Sequence, residues 1–311
     1  FGEGGDTVRC LLDAKAADVA TLLIERGAAV NFLGCDGRTA LTLACENGDA
    51  KIASLLLGRR ADGDILASDG ASALMLASGL GRVAVVSLLL WSRVETWSWE
   101  SKGMTALMLA SIGGHLDVFR QLLDAEDYVG AWDNGGMTAF LFAANRRRAS
   151  ERFEHCGVFG SSDPPCFHLD HAQCANLLLG RSAKIEEKDN YNRTALVFAS
   201  ANNDMEMVRL LLRFGANVNR DCFSTSTPLM SMSFLGHAKM AGLLLEAAAD
   251  ANQRDAEGRT ALHFAALSGR VEIAALLLVA GARKGFPSAD FIVAHTVALV
   301  NGHTDLARLL L

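Results

Sequence analysis

Apolar residues recur in short blocks that return about every 33 residues along most of the chain, a period typical of repeat proteins. A three-residue block reading Thr-Ala-Leu, or a close variant of it, begins at Thr39, Ser72, Thr105, Thr138, Thr194, Thr227 and Thr260. The spacing between consecutive blocks is constant, except that the step from Thr138 to Thr194 is much longer. Each block therefore marks one copy of a repeated supersecondary unit.

Each period predicts two short helices joined by a turn. Thr or Ser at the start of the first helix can accept hydrogen bonds from free backbone N–H groups. A turn such as Gly48-Asp49 follows, and a Leu-rich triplet such as Leu55 to Leu57 then gives the second helix an apolar face. A single helix pair cannot bury that face, so the pairs are expected to stack on one another.

The same markers extend to both ends of the sequence. Leu22 to Ala28 fits a degenerate first repeat, while Gly302-His303 and Leu309 to Leu311 fit a last one. The prediction is a single domain over residues 1–311 with about nine repeats. The repeats start near residues 6, 36, 69, 102, 135, 191, 224, 257 and 290.

The repeat resembles the ankyrin repeat. The T-P-L-H-x-A signature of that family appears here as Thr260-Ala261-Leu262-His263-Phe264-Ala265, and its finger appears as Gly215-Ala216-Asn217-Val218-Asn219. The resemblance covers about residues 6–311. It implies an all-α fold, an ankyrin-repeat solenoid of paired antiparallel helices with projecting β-hairpin fingers.

One departure from the family pattern concerns the end of the second helix. The family has Gly there because a left-handed backbone closes the helix. That Gly is kept at Gly27, Gly215 and Gly281, and it is replaced at Arg60, Arg93, Glu126, Ser182 and Ala248. These five helix ends are expected either to be capped in another way or to carry strain of about 1 kcal/mol.

Composition and charge narrow the class of partner and compartment. The chain has 311 residues, 50% of them hydrophobic, and a net charge of −6, which argues against a general nucleic-acid or membrane-surface binder. No apolar run reaches the roughly 18 residues that a membrane span needs. Seven Cys without a C-x-x-C motif favour reduced thiols in an intracellular, cytoplasmic setting. Because the sequence begins with Phe1, it either lost a presequence, which would make it organellar, or belongs to a longer protein.

The long step between Thr138 and Thr194 predicts an insertion of residues 147–169 between the two helices of the fifth repeat. It contains His155, Cys156, Cys166 and His168, which leaves three interpretations open: a zinc site, a Cys156–Cys166 bridge, or a loop that is solvated or ordered by a partner. The adjacent His155 and Cys156 have poor ligand spacing, so the third interpretation is preferred and no tight zinc binding is expected. The preceding Arg146, Arg147 and Arg148 are either a solvated charge run or a docking site for an acidic partner.

The sequence contains no motif for catalysis. A P-loop, a dinucleotide-binding glycine motif, a nucleophile elbow and an H-E-x-x-H zinc motif are all missing. His115, His237 and His303 recur at one position of the repeat, where they are expected to cap or bridge turns. The chain is therefore predicted not to be an enzyme, with no catalytic, cofactor-binding or metal-binding residues.

The resemblance implies where a protein partner would bind. Ankyrin proteins usually recognise partners through the concave surface formed by finger tips and exposed positions of the first helices. Transferred to this sequence, the apolar residues at these positions are Met104, Ile112, Met137, Tyr191, Phe223, Phe234, Leu235 and Leu267. Apolar side chains at recognition positions indicate a contact surface. The alternative is that they pack against neighbouring repeats or against the insertion.

A second apolar stripe lies six residues before the Thr or Ser of the second to fifth repeats, whereas later fingers carry Lys188, Asp221 and Arg254 there. Successive fingers carry Leu33, Leu66, Trp99 and Trp132 there, and Trp97 is two residues from Trp99. Stacked fingers would bring these side chains together, and Trp is enriched at interface hot spots. Trp97, Trp99 and Trp132 are therefore candidate partner contacts. The alternative is that they only cover neighbouring fingers.

Together these observations predict a protein–protein interaction scaffold or adaptor without enzymatic activity. Two other functions stay open: a structural subunit of a large, organellar assembly, and the regulatory segment of a multidomain enzyme. Neither a nucleic acid nor direct membrane insertion is expected, and no cofactor is predicted.

Overall fold

The computed structural model of the chain describes residues 17–34, 37–96, 102–125, 129–145, 170–220, 226–289 and 292–311. These residues form seventeen helices and no strand. The helices are α1 (Ala17–Glu25), α2 (Ala40–Asn47), α3 (Ala50–Gly58), α4 (Ala73–Gly79), α5 (Val83–Trp91), α6 (Ala106–Gly113), α7 (Leu116–Asp124), α8 (Ala139–Ala144), α9 (His171–Gly180), α10 (Ala195–Ala201), α11 (Met205–Arg213), α12 (Pro228–Leu235), α13 (Ala238–Glu246), α14 (Ala261–Leu267), α15 (Val271–Val279), α16 (Ala294–Val300) and α17 (Thr304–Leu310).

The chain divides into two compact units, Phe1–Ala183 and Lys184–Leu311. In each unit the helices pack in consecutive pairs, as the repeat pattern predicts. The first helix of a pair also contacts the first helix of the next pair, as α4 does with α6 and α12 does with α14. The all-α repeat architecture is thus confirmed, whereas a single domain over residues 1–311 stays a prediction.

The Thr residues that begin the blocks are helix caps. Thr39 Oγ1 accepts a hydrogen bond from the backbone N–H of Thr42 at 3.2 Å, and Thr227 Oγ1 accepts one from Met230 at 3.3 Å. Ser72 makes the same bond to Met75. The predicted side-chain capping is confirmed for Thr39, Ser72, Thr105, Thr138 and Thr227, and it explains why those first helices begin at the next residue. Thr194 makes no such bond, and α16 follows Val293.

The helix ends without the family's Gly carry left-handed backbone. Arg60, Arg93, Ser182 and Ala248 have φ of 63°, 59°, 73° and 63°. Their backbone therefore lies in a region that L-residues avoid, which is expected to cost about 1 kcal/mol at each position. The left-handed end of the helix is thus kept at these four positions without Gly, while Glu126 lies outside the described residues.

The fingers are closed by turns rather than by paired strands. In the fifth repeat, the N–H of Asp133 donates to the carbonyl of Met137 at 2.9 Å, and a single bridge joins Trp132 to Thr138. A finger this short is closed by a single turn and has too few residues on either side of it to form paired strands. Within the described ranges the β-hairpin character is therefore limited to isolated bridge residues, which are Trp132, Thr138 and Ser226.

Neighbouring fingers are joined by side chains that accept a backbone N–H from the next repeat. The acceptor lies eight residues before the Thr, and the bonds are 2.7–2.9 Å long. The pairs are Asn31 with Asp62, Asp64 with Glu95, Glu186 with Asn217, Asn219 with Asp250, and Asn252 with Arg283. At this position the fourth and fifth repeats have Trp97 and Gly130, which have no side-chain oxygen.

The helices on either side of the insertion pack against each other, since α8 contacts α9. This confirms that the fifth repeat keeps its helix pair although residues 147–169 are inserted between the two helices. The insertion itself lies outside the described residues. None of the described helices is both long enough and apolar enough to cross a membrane.

Candidate functional site

Five of the predicted partner-binding side chains are exposed. Their exposed fractions are 66% for Tyr191, 59% for Trp132, 46% for Phe234, 46% for Leu235 and 41% for Leu267. Large apolar side chains usually leave water when they can, so these five are available for contacts with another molecule.

Three other predicted contacts are buried, and the expectation that they are exposed is wrong. Met104, Ile112 and Met137 are 2%, 6% and 1% exposed. Met104 and Met137 directly precede a helix-capping Thr in successive repeats, and packing there removes their apolar surface from water. Ile112 lies on α6, which packs between α4 and α8, so neighbouring first helices cover it.

The remaining predicted contacts lie outside the described residues. They are Trp97, Trp99, Arg146, Arg147, Arg148 and Phe223. Leu33 and Leu66, which share the finger position of Trp132, are 50% and 43% exposed. The apolar stripe of the fingers is therefore exposed in the second, third and fifth repeats.

The first helices of the second compact unit carry no Asp, Glu, Lys or Arg. This holds for α10, α12, α14 and α16, whereas the second helices α11, α13, α15 and α17 each contain at least one such residue. Phe234 and Leu235 end α12, and Leu267 ends α14, which packs against α12. The three exposed side chains thus lie on adjacent, charge-free helices. We call Phe234, Leu235 and Leu267 the apolar face.

Two repeats beside this face share an Asp–Arg–Phe triad, defined by an Asp five residues before the Thr, an Arg one residue before it and a Phe four residues after it. In the sixth repeat, Asp189 Oδ1 accepts the backbone N–H groups of Tyr191 at 2.9 Å and Arg193 at 2.8 Å. Asp189 Oδ2 accepts Arg193 Nε at 2.6 Å. The Arg193 guanidinium lies 4.7 Å from the centre of the Phe198 ring. The triad therefore joins the finger to the first helix.

The eighth repeat has the same triad. Asp255 accepts hydrogen bonds from the backbone N–H and from Nε of Arg259 at 2.7 and 2.8 Å. The guanidinium of Arg259 also binds Glu257 at 2.8 Å and lies 4.9 Å from the centre of the Phe264 ring. The positive charge of Arg259 is therefore balanced by two carboxylates.

A cleft of about 250 Å³ opens in the seventh repeat, between these two triads in sequence. It is lined by Ser226, Met230, Ser231, Phe234, Leu235 and Phe264. Two of the three residues of the apolar face thus form part of its wall. None of the lining residues is charged, so the cleft suits an uncharged group.

The sequence carries a signal for this cleft that no motif or single position reveals. Four residues after the Thr, every other first helix that the structure describes has Leu, Phe or Val, whereas the seventh repeat has Ser231. One residue before the Thr, Ser226 stands where the flanking repeats have Arg193 and Arg259. A comparison of these two positions between repeats shows that the seventh repeat lacks two large side chains that the flanking repeats have.

The His side chains of the repeat serve its architecture. His115 Nε2 donates to the carbonyl of Gly79 at 3.0 Å, His171 Nε2 to Ile112 at 3.2 Å, and His303 Nε2 to Leu267 at 3.3 Å. Each bond joins one repeat to the first helix of the preceding one. The predicted bridging of turns is confirmed for His115 and His303.

His263 makes two hydrogen bonds, one buried and one partly buried, that require a neutral ring. Its Nδ1 accepts the backbone N–H of Thr260 at 3.1 Å, and its Nε2 donates to the carbonyl of Ile292 at 3.1 Å. Burial lowers the pKa of His263, and of His115, below the ordinary value of 6.5 because it disfavours the charged imidazolium.

Stability should therefore fall when the pH drops below about 6.5. A group whose pKa is lowered by folding contributes fully above the unfolded-state pKa, and this contribution is lost as the pH falls from there toward the folded-state pKa. We expect a lower urea midpoint at pH 5.5 than at pH 7.5. In His263→Gln, which keeps a donor and an acceptor but cannot titrate, the drop should be smaller. A midpoint that rises on acidification would contradict this prediction.

The two described thiols are buried, and the described residues hold no cluster suited to a metal ion. Cys45 and Cys174 are buried free thiols. Burial raises the pKa of Cys45 and raises that of Cys174 to about 12, so both stay protonated at neutral pH. Among the described residues, no three His, Cys, Asp or Glu side chains are placed to hold a metal ion. His155, Cys156, Cys166 and His168 lie outside them, so the absence of a tight zinc site stays a prediction.

The paired helices, capping Thr residues and finger turns define a helical repeat protein. The family model described as ankyrin repeats matches residues 9–98, 166–255 and 220–288, and the model described as ankyrin repeat matches residues 102–134. The chain therefore belongs to the ankyrin-repeat family. Ankyrin repeats are generally protein–protein interaction modules. A search of curated proteins finds no match.

Proposed function

We propose that this chain is a non-enzymatic adaptor or scaffold that holds a protein partner against the apolar face of the seventh and eighth repeats. The observation that carries the proposal is the exposure of Phe234, Leu235 and Leu267 on adjacent helices without a charged residue. Interface hot spots consist of apolar and aromatic anchors in charge-depleted centres surrounded by polar rims.

Polar and charged groups lie in the fingers of the repeats that carry or flank this face. The fingers of the sixth and eighth repeats present Tyr191 and the paired Arg259, whose guanidinium is shared between Asp255 and Glu257. Such groups orient a partner without adding a large desolvation cost, because their charges are already balanced. The bonds of His115, His263 and His303 support the non-enzymatic part of the proposal, since these side chains are engaged in joining structural elements.

Site-directed photo-crosslinking tests the proposal. Benzoylphenylalanine would replace Leu267 on the apolar face or, as a matched control, Val279, which is 90% exposed on the second helix of the same repeat. After irradiation in an extract of cells that express the protein, we expect one discrete adduct from position 267 and none from position 279. Mass spectrometry would identify the partner. Equal labelling at both positions, or no adduct at 267, would refute the proposed face.

A further inference from the structure

The cleft in the seventh repeat lies where the Asp–Arg–Phe triad is missing. The sixth repeat has Phe198 and the eighth has Phe264 four residues after the Thr, each beneath an Arg guanidinium. The seventh repeat has Ser231 at the Phe position and Ser226 at the Arg position. Both members of the stacked pair are thus replaced by the smallest hydroxyl side chain, and the 250 Å³ cleft is lined by these two Ser residues.

The size of the cleft suits one side chain. Pockets that enclose drug-sized ligands measure roughly 300–1,000 Å³. A cleft of about 250 Å³ with the Phe264 ring in its wall is below this range. An aromatic side chain supplied by a partner would fill it and could pack against Phe264, because offset or edge-on ring pairs are favourable.

The charges near the cleft indicate whether a partner would supply an Arg or an aromatic side chain. An incoming Arg would need the carboxylate that the flanking triads provide through Asp189 and Asp255, but the sequence has Cys222 at that position, which lies outside the described residues. Asp255 and Glu257 of the eighth repeat already bind Arg259. None of the described residues that line the cleft is charged, so they offer no counter-charge to a desolvated cation, whereas an aromatic ring needs none.

We infer that the cleft at Ser226 and Ser231 is the anchor pocket of the apolar face and accepts one aromatic side chain, Phe or Trp, from an uncharged segment of the protein partner. The inference rests on the proposed function, since it names the chemistry of the partner at that face. The ring of the partner takes the place of the Phe that the repeat lacks.

Filling the pocket from within tests the inference. Ser231→Phe restores the residue found in the sixth and eighth repeats, and Ser231→Leu restores the residue found in α2, α4 and α6. Since both side chains are accommodated at this position elsewhere in the chain, both variants should melt at or above the temperature of the wild type. Ser231→Ala is the matched control, because it removes the hydroxyl and leaves the cleft open.

The probe is a phage-displayed library of short random peptides selected on the full chain. We expect selected peptides to share one Phe or Trp and to bind Ser231→Phe and Ser231→Leu at least about 30-fold more weakly than the wild type, by the usual size of an aromatic hot spot. Ser231→Ala should change Kd by less than about threefold. Replacing the peptide aromatic with Ala should weaken binding to the wild type but not weaken it further in Ser231→Phe, because both changes remove the same contact.

Three outcomes are decisive. Peptides without a shared aromatic residue, or unchanged binding to the filled variants, overturn the pocket. If these peptides nevertheless bind Leu267→Lys more weakly than the wild type, the apolar face remains supported as the binding surface and only the aromatic pocket is rejected. If binding survives in Leu267→Lys as well, the proposed face fails together with the pocket.

Discussion

Replacing Asp189 with Ala should lower the free energy of unfolding of the second compact unit by about 3–5 kcal/mol. The Asp189 side chain is fully buried and the Arg193 side chain is 11% exposed. Removing the carboxylate breaks the ion pair with Arg193 and removes the acceptor of two backbone N–H groups. The loss of an acceptor and of a buried ion-pair partner act in the same direction. Urea unfolding followed by circular dichroism measures the effect.

Two companion variants identify the source of this loss. Asp305 pairs with Arg308 at the surface, with side chains 84% and 80% exposed, so Asp305→Ala should change stability by less than about 0.5 kcal/mol. Asp189→Asn keeps an acceptor for the N–H of Tyr191 or Arg193. Its loss of stability should therefore lie between the losses in Asp189→Ala and Asp305→Ala. If Asp189→Ala were as mild as Asp305→Ala, the triad would not be holding the finger to the first helix.

The local structure of each repeat follows from the sequence because short-range interactions determine it. Thr39 and Thr227 cap their helices through a side chain that reaches only three residues along the chain. Arg60 and Ala248 adopt left-handed backbone because the repeat needs a sharp end at that position whatever residue stands there. Such features depend on neighbours in sequence, which the register of the repeat identifies.

Exposure on the recognition surface could not be predicted in this way. Ile112 and Leu267 occupy the same position of the repeat, seven residues after the Thr, yet they are 6% and 41% exposed. The difference arises from the helices that flank each one, which a single-repeat template does not describe. The burial of Met104 and Met137 could not be predicted either, because it depends on packing across repeats and not on local sequence.

The cleft at Ser231 is a third case, in which two positions must be considered together. Ser226 alone is an ordinary polar finger residue, and Ser231 alone is an ordinary small residue on a helix. The two Ser residues become informative only when the seventh repeat is compared with its neighbours. There the same two positions hold Arg193 with Phe198 and Arg259 with Phe264, and the two side chains of each pair are in contact. Departures from the repeat that coincide at contacting positions are therefore better indicators of a site than single exposed residues.

A cation on the apolar face should abolish partner binding. In Leu267→Lys we expect Kd for the protein cross-linked at position 267 to rise at least about 100-fold, which corresponds to about 2.7 kcal/mol. Leu267 is 41% exposed, so the free protein can hydrate the new ammonium and should keep its stability. In the complex the ammonium would be buried beside Arg259, whose carboxylate partners Asp255 and Glu257 are already engaged.

The matched variant Leu267→Glu should weaken binding less than Leu267→Lys. In the second repeat, Arg38 and Glu46 occupy the positions of Arg259 and Leu267 and form an ion pair, so a Glu at position 267 has a cation available in the same relation. A Lys at position 279, where Val is 90% exposed on α15, should leave Kd unchanged. Isothermal titration calorimetry with the purified partner gives the three values. Equal losses of affinity in Leu267→Lys and Leu267→Glu would show that the complex rejects any polar group at position 267. Unchanged affinity in Leu267→Lys would place the partner elsewhere. The exposed finger residues Leu33, Leu66 and Trp132 would then be the next to substitute.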